Sequence, residues 1–75
     1  MTKQFKIGEY AIGGIIKVSK VKGSVTIQAL DWNTKKPIRS DFFYMHEHYR
    51  IHEYLNELTS SYYADKLIDY IYFKN

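Results

Sequence analysis

The sequence predicts an α+β fold: a three-stranded antiparallel sheet, four-stranded if the N-terminal segment joins it, followed by two C-terminal helices packed on one face. Three observations carry this. Apolar residues alternate up to about residue 44 and then recur at spacings of four and three, the period of a helix. Turn signals at Lys22-Gly23 and Asn33–Pro37 divide the alternating part into strands. The charge also changes sign where the period changes: residues 1–40 hold eight cations beside only Glu9 and Asp31, a net +6, while residues 41–75 hold three cations and six carboxylates, a net −3. A basic sheet backed by acidic helices is the implied arrangement.

Each element has its own signal. The segment from Phe5 to Ala11 is interrupted by Gly8 and reads equally as a short strand or an irregular arm. From Gly13 to Trp32 the chain reads as a hairpin about Lys22-Gly23, glycine supplying the positive φ of a tight turn. Its register follows from polarity. Val18 faces Ile27 and Ile16 faces Ala29 on one side, while Lys17 faces Gln28 and Ser19 faces Thr26 on the other; a one-residue slip scrambles both faces. A third strand from Ile38 to Tyr44 is expected to set Phe42 beside Ile27 and Tyr44 beside Val25, leaving Arg39, Asp41 and Phe43 on the opposite face. Ile51, Leu55 and Leu58 form one stripe of a helix over residues 46–58. Thr59-Ser60-Ser61 offers capping hydroxyls to a second helix, with Asp65 in its first turn and Ala64, Leu67, Ile68 and Ile71 as its buried stripe. There is no internal repeat, linker or low-complexity segment, so residues 1–75 read as a single βββαα domain.

A chain of 75 residues buries only about 60% of its unfolded surface. Without cysteine, neither a disulfide nor a thiolate metal site adds stability, which points to association as the remaining source and to a homodimer as its simplest form. No apolar run approaches the roughly 18 residues of a membrane span. The chain reads as a soluble, cytoplasmic, complete small protein, and its richness in Lys, Ile, Tyr, Phe and Asn suits a short reading frame of a phage or mobile element.

Catalytic chemistry finds no constellation. The serines occupy strand, turn and cap positions without an adjacent base, and the carboxylates Glu47, Glu53, Glu57, Asp65 and Asp69 are spread over helical solvent faces. His48 and His52 share a helix face at i, i+4, yet Arg50 stands where the helical zinc motif opened by His46-Glu47 requires its second histidine. Gly8 and Gly13 mimic the start of a phosphate loop until Gly14 replaces the required lysine; space for Trp32 across the strand, or a bulge, is the better reason for Gly13 and Gly14. No enzyme activity, cofactor or metal is therefore assigned.

Binding is better supported. The mixed sheet face is expected to interleave Lys17, Arg39 and Gln28 with Trp32 and Phe43, with Lys35 and Lys36 at the turn tips, a set able to contact phosphates and stack bases or to anchor a protein. A second surface is expected on the last helix, where Tyr62, Lys66, Tyr70 and Phe73 project from the buried stripe. The expectation is a small non-enzymatic binding protein that masks a host protein or nucleoprotein complex by steric occlusion, an inhibitor analogous in size and composition to anti-CRISPR proteins. The alternative is nucleic-acid binding through the basic face of the sheet.

Overall fold

Four strands form an antiparallel meander: β1 (Thr2–Lys6), β2 (Gly14–Val21), β3 (Ser24–Asp31) and β4 (Pro37–Tyr44), ordered β1-β2-β3-β4 across the sheet. The helices α1 (His48–Leu58) and α2 (Ser61–Phe73) follow, giving the α+β fold in a computed structural model that describes residues 1–73. Among these residues no helix is long and apolar enough to cross a membrane.

The central hairpin has the register that polarity dictates, Lys17 opposite Gln28, Val18 opposite Ile27 and Ser19 opposite Thr26, with Gly23 at φ 82° taking the positive-φ corner of the turn. Both helices lie on the face presented by Ile16, Val18, Val25, Ile27 and Ala29. From α1 come Ile51, Tyr54, Leu55 and Leu58, and from α2 Ala64, Leu67, Tyr70 and Ile71, so the stripe at spacings of three and four meets the apolar side of the pleat.

The N-terminal strand covers residues 2–6, so that of the segment from Phe5 to Ala11 only Phe5 and Lys6 belong to it. Phe5 lies opposite Ile16, and its ring meets that of Tyr70 edge-on at 5.3 Å. After a single 3-10 turn at Gly8–Tyr10, the chain is tied to the junction of the two helices: Ala11 bridges Thr59, the Ile12 amide donates to the Leu58 carbonyl at 2.8 Å, and the Thr59 hydroxyl donates to the Tyr10 carbonyl. These bonds satisfy main-chain groups that the end of α1 leaves over.

The β3–β4 register departs from the sequence expectation by one residue. Phe43 pairs with Val25 and is 1% exposed in the core, while Phe42 pairs with Thr26 and stands on the open face at 49% exposure, as does Tyr44 at 56%. Three consecutive aromatics, Phe42-Phe43-Tyr44, satisfy either parity, so alternation does not choose between them. Arg39 and Asp41 consequently fall on the helix side. They tolerate it because β4 is an edge strand from which long side chains reach water, and Arg39 reaches Glu57 of α1 at 3.0 Å. A register shift between Ala29 and Leu30 accommodates the extra residue.

Two helix details also differ. Residues 44–47 form a turn before α1 rather than its first residues: the Glu47 amide donates to the Tyr44 carbonyl at 2.9 Å, and Glu47 Oε2 accepts the Tyr44 amide at 2.8 Å. Asp65 lies in the second turn of α2, 3.5 Å from His52 of α1.

Candidate functional site

The sheet face turned away from the helices is built from alternate residues of all four strands. In register across its middle run Gln4, Lys17, Gln28 and Ser40, and beside them Thr2, Ser19, Thr26 and Phe42. The polar side chains brace one another: Gln28 Nε2 donates to Ser40 Oγ at 3.3 Å, and the Thr2 hydroxyl donates to Ser19 Oγ at 3.1 Å. Lys6 lies opposite Ile15 and adds a second cation. None of the eight carboxylates of the chain occupies a strand position on this face, because Asp31 and Asp41 both have the opposite parity. The strand positions of the face are therefore one-signed although the molecule as a whole carries only +3, and Glu9 comes closest at one end, where it lines a pocket with Trp32.

Aromatic rings border it at the β4 edge. Phe42 and Tyr44 meet edge-on at 5.3 Å, and Tyr44 stacks on His46 with centroids 6.0 Å apart and ring planes 7° from parallel. Three half-open rings in a row beside lysines and hydroxyls offer flat surfaces and phosphate-binding groups together.

The opposite end is closed by the turn between β3 and β4. The carboxylate of Asp31 accepts the Asn33 and Thr34 amides at 2.9 and 2.8 Å, and the bond from Thr34, then that from Asn33, holds its pKa below the ordinary aspartate value. Lys35, at φ 64°, donates to the Trp32 carbonyl and lies 5.4 Å from the centre of the indole. Trp32 itself is 45% exposed and crosses Gly14, where an added Cβ would come within 3.0 Å of the indole Cε3. Glycine at position 14 is called for by its φ of 98°, and the indole leaves an added Cβ little room besides; at Gly13, φ 74°, the crowding groups are the Leu30 carbonyl and Ile38.

Of the residues the sequence marked for the mixed face, Lys17 and Gln28 stand at its centre, and Trp32, Lys35 and Lys36 gather at the turn at one end. Phe43 does not belong to it, being buried between Val25 and Tyr54. Nor does Arg39, which is on the helix side with its guanidinium carbon 5.0 Å from the Tyr54 ring; the hydrogen bond to Glu57 raises its pKa further. Ile15 and Leu30 have the parity of the open face but are buried. On α2, Tyr62, Lys66 and Phe73 project together as expected, with the Lys66 ammonium 4.9 Å from the Tyr62 ring. Tyr70 is instead 8% exposed, packed on Phe5 and covered by Lys20, whose ammonium is 4.4 Å from its ring.

Sequence reasoning missed Lys6, Phe42, Tyr44 and His46. Recognition of β1 would have added Lys6; the aromatics were hidden by the parity of β4. On the helix side, His48 stacks on Tyr72 at 4.7 Å and His52 approaches Asp65, and among the described residues no cluster of three or more metal-ligating side chains occurs. Compared with known families, with curated proteins and with solved structures, the chain matches none.

Proposed function

We propose that the protein is a small non-enzymatic binding module whose open sheet face docks on an anionic surface of a larger host macromolecule and acts by steric masking, as an inhibitor encoded by a phage or mobile element would. The observation that carries this reading is the absence of carboxylates from the strand positions of a face that presents Lys6, Lys17, hydroxyls and amides. Such a face attracts counter-charged partners at long range and leaves the short-range contacts to its aromatic border. Trp32, Lys35 and Lys36 extend it at one end and Phe42 and Tyr44 at the other.

A second reading, direct binding of single-stranded nucleic acid, draws on the Phe42, Tyr44 and His46 row, since bases stack on such rings irrespective of sequence. The two separate by salt. Binding to single-stranded and duplex oligonucleotides is measured by fluorescence anisotropy at rising ionic strength; micromolar affinity that falls steeply with salt selects the second reading. No oligonucleotide binding, together with a host partner that wild-type protein retains and a folded Lys17→Glu protein loses, selects the first. A partner retained equally by Lys17→Glu and Phe42→Ala proteins removes the sheet face from either role.

A further inference from the structure

The strand β4 is an edge of the sheet whose protections, Pro37 at its start, a register shift beside it and the charges of Arg39 and Asp41, leave the stretch around Ser40 exposed. Edge strands are commonly kept from pairing by lysines, shortness or a covering element. The other edge, β1, has five residues and carries Lys3 and Lys6, whereas β4 has eight residues, no lysine, and Ile38, Ser40, Asp41 and Phe42 exposed along it.

The main-chain groups of this edge point outward at a definite set of residues. The Phe42 amide is taken by the carboxylate of its own neighbour Asp41 at 2.9 Å, and the Tyr44 amide by Glu47 at 2.8 Å, so neither is spent on β3. By the alternation of an antiparallel ladder, Ser40 directs its main chain to the same outer side. Glu47 closes the edge at Tyr44, which leaves the stretch around Ser40 as the part free to pair.

The sequence of that stretch is complementary to its own reverse about Ser40: Ile38, Arg39, Ser40, Asp41, Phe42 reads apolar, positive, small, negative, apolar, and the reverse exchanges the two charges. We infer that β4 pairs antiparallel with the β4 of a second copy of this chain about a two-fold axis at Ser40, joining two four-stranded sheets into one of eight strands. In this register Ser40 faces Ser40 as a hydrogen-bonded pair and Ile38 faces Phe42 as another, so the Phe42 amide exchanges the Asp41 carboxylate for the Ile38 carbonyl of the second copy and frees that carboxylate. Arg39 faces Asp41 as a non-hydrogen-bonded pair, the type in which side chains approach most closely. One guanidinium nitrogen of Arg39 is used by Glu57, and the rest of the fork can serve a second carboxylate.

The wall above the edge agrees. A cleft of about 230 Å³ beside β4 is lined by Arg39 and Arg50 and by Asp41, Glu53 and Glu57. Both signs in one place suit a copy of the same surface better than a polyanion. The pairing buries the exposed main chain of two edges, and it merges two open faces into one continuous surface without occluding Lys17 or Gln28.

The test is sedimentation velocity from low micromolar to millimolar concentration, with circular dichroism to confirm that each variant is folded. Wild-type protein is expected to form a dimer in a concentration-dependent way. Ser40→Pro, which deletes an outward amide where an edge strand tolerates proline, is expected to be a folded monomer. Arg39→Asp and Asp41→Arg, each placing like charges opposite one another, are expected to raise the dimer dissociation constant by about tenfold or more. An equimolar mixture of these two variants restores opposite charges across the axis, so the dimer returns only in the mixture. Should Arg39→Asp fail to fold for want of its Glu57 pair, Ser40→Pro and Asp41→Arg carry the test alone. The inference is overturned by a wild-type protein monomeric throughout the range, by a dimer that folded Ser40→Pro protein retains, or by monomeric single-charge variants that do not recover on mixing.

Discussion

The ammonium of Lys20 donates to the main-chain carbonyl of Tyr70 at 2.9 Å, so a lysine from β2 closes the last turn of α2. It also reaches toward the Ile71 carbonyl at 3.5 Å and covers the Tyr70 ring, which places a positive charge where the helix carries its partial negative one. A lysine on the apolar side of a sheet would ordinarily be a defect. Here its stem covers Tyr70 and its head caps a helix.

Lys20→Met keeps the stem and removes the charge. Loss of a charge-assisted bond at a helix C-terminus is expected to cost about 1 to 2 kcal/mol, read as a lower midpoint in urea denaturation with an unchanged slope. An unaltered midpoint would mean that the bond contributes nothing net.

Phe43 and Phe42 are neighbours with opposite fates. Phe43→Ala should destabilise by about 3 to 5 kcal/mol, as emptying a core site does. Phe42→Ala loses only an exposed edge-on contact with Tyr44 and should cost about 1 kcal/mol or less. A larger loss for Phe42→Ala than for Phe43→Ala in thermal denaturation would place β4 in the other register.

Alanine at Gly13 and at Gly23 separates conformational strain from crowding. Both glycines have positive φ, 74° and 82°, but an added Cβ meets the Leu30 carbonyl oxygen at 2.4 Å at position 13 and nothing within 4 Å at position 23. Gly23→Ala is expected to cost about 1 kcal/mol. Gly13→Ala should cost about 3 kcal/mol or prevent folding, because the blocking atom is main chain. Comparable melting temperatures for the two would refute the crowding.

Glu47 fastens the turn that leads into α1, and the Tyr44 amide, then Arg50, holds its carboxyl below the ordinary glutamate value of 4.5. A carboxylate with a depressed folded pKa contributes stability that is fully present above its unfolded value and is lost as pH falls through the folded one. The denaturation midpoint is therefore expected to decline below about pH 4.5. In Glu47→Gln protein that decline should be shallower, Asp31 supplying the remainder at still lower pH. Parallel acid profiles for wild type and variant would show that Glu47 is not the group responsible.

The central hairpin was legible in the sequence because Lys17, Val18, Gln28 and Ile27 leave one register that sorts both faces. The edge strand was not, since apolar Ile38, Phe42 and Tyr44 outvoted Phe43, and alternation is a weaker guide where one side of the strand borders solvent. Tyr70 was misplaced for a related reason. Its burial depends on Phe5, and Phe5 covers it only once residues 2–6 are known to form a strand. Of the binding face, the polar centre was visible in the hairpin, while its aromatic border waited on the parity of β4.

The bond from the Ile12 amide to the Leu58 carbonyl joins a loop near one end of the chain to the hinge between the two helices. Ile12 is itself partly exposed and belongs to no helix or strand, so its environment alone suggests rapid exchange of its amide with deuterated solvent. Releasing that proton, however, requires the segment around Tyr10 and Ala11 to part from Thr59 and Leu58. Its protection factor should approach those of the β2 and β3 amides, reporting the opening of the whole molecule rather than the fraying of a loop.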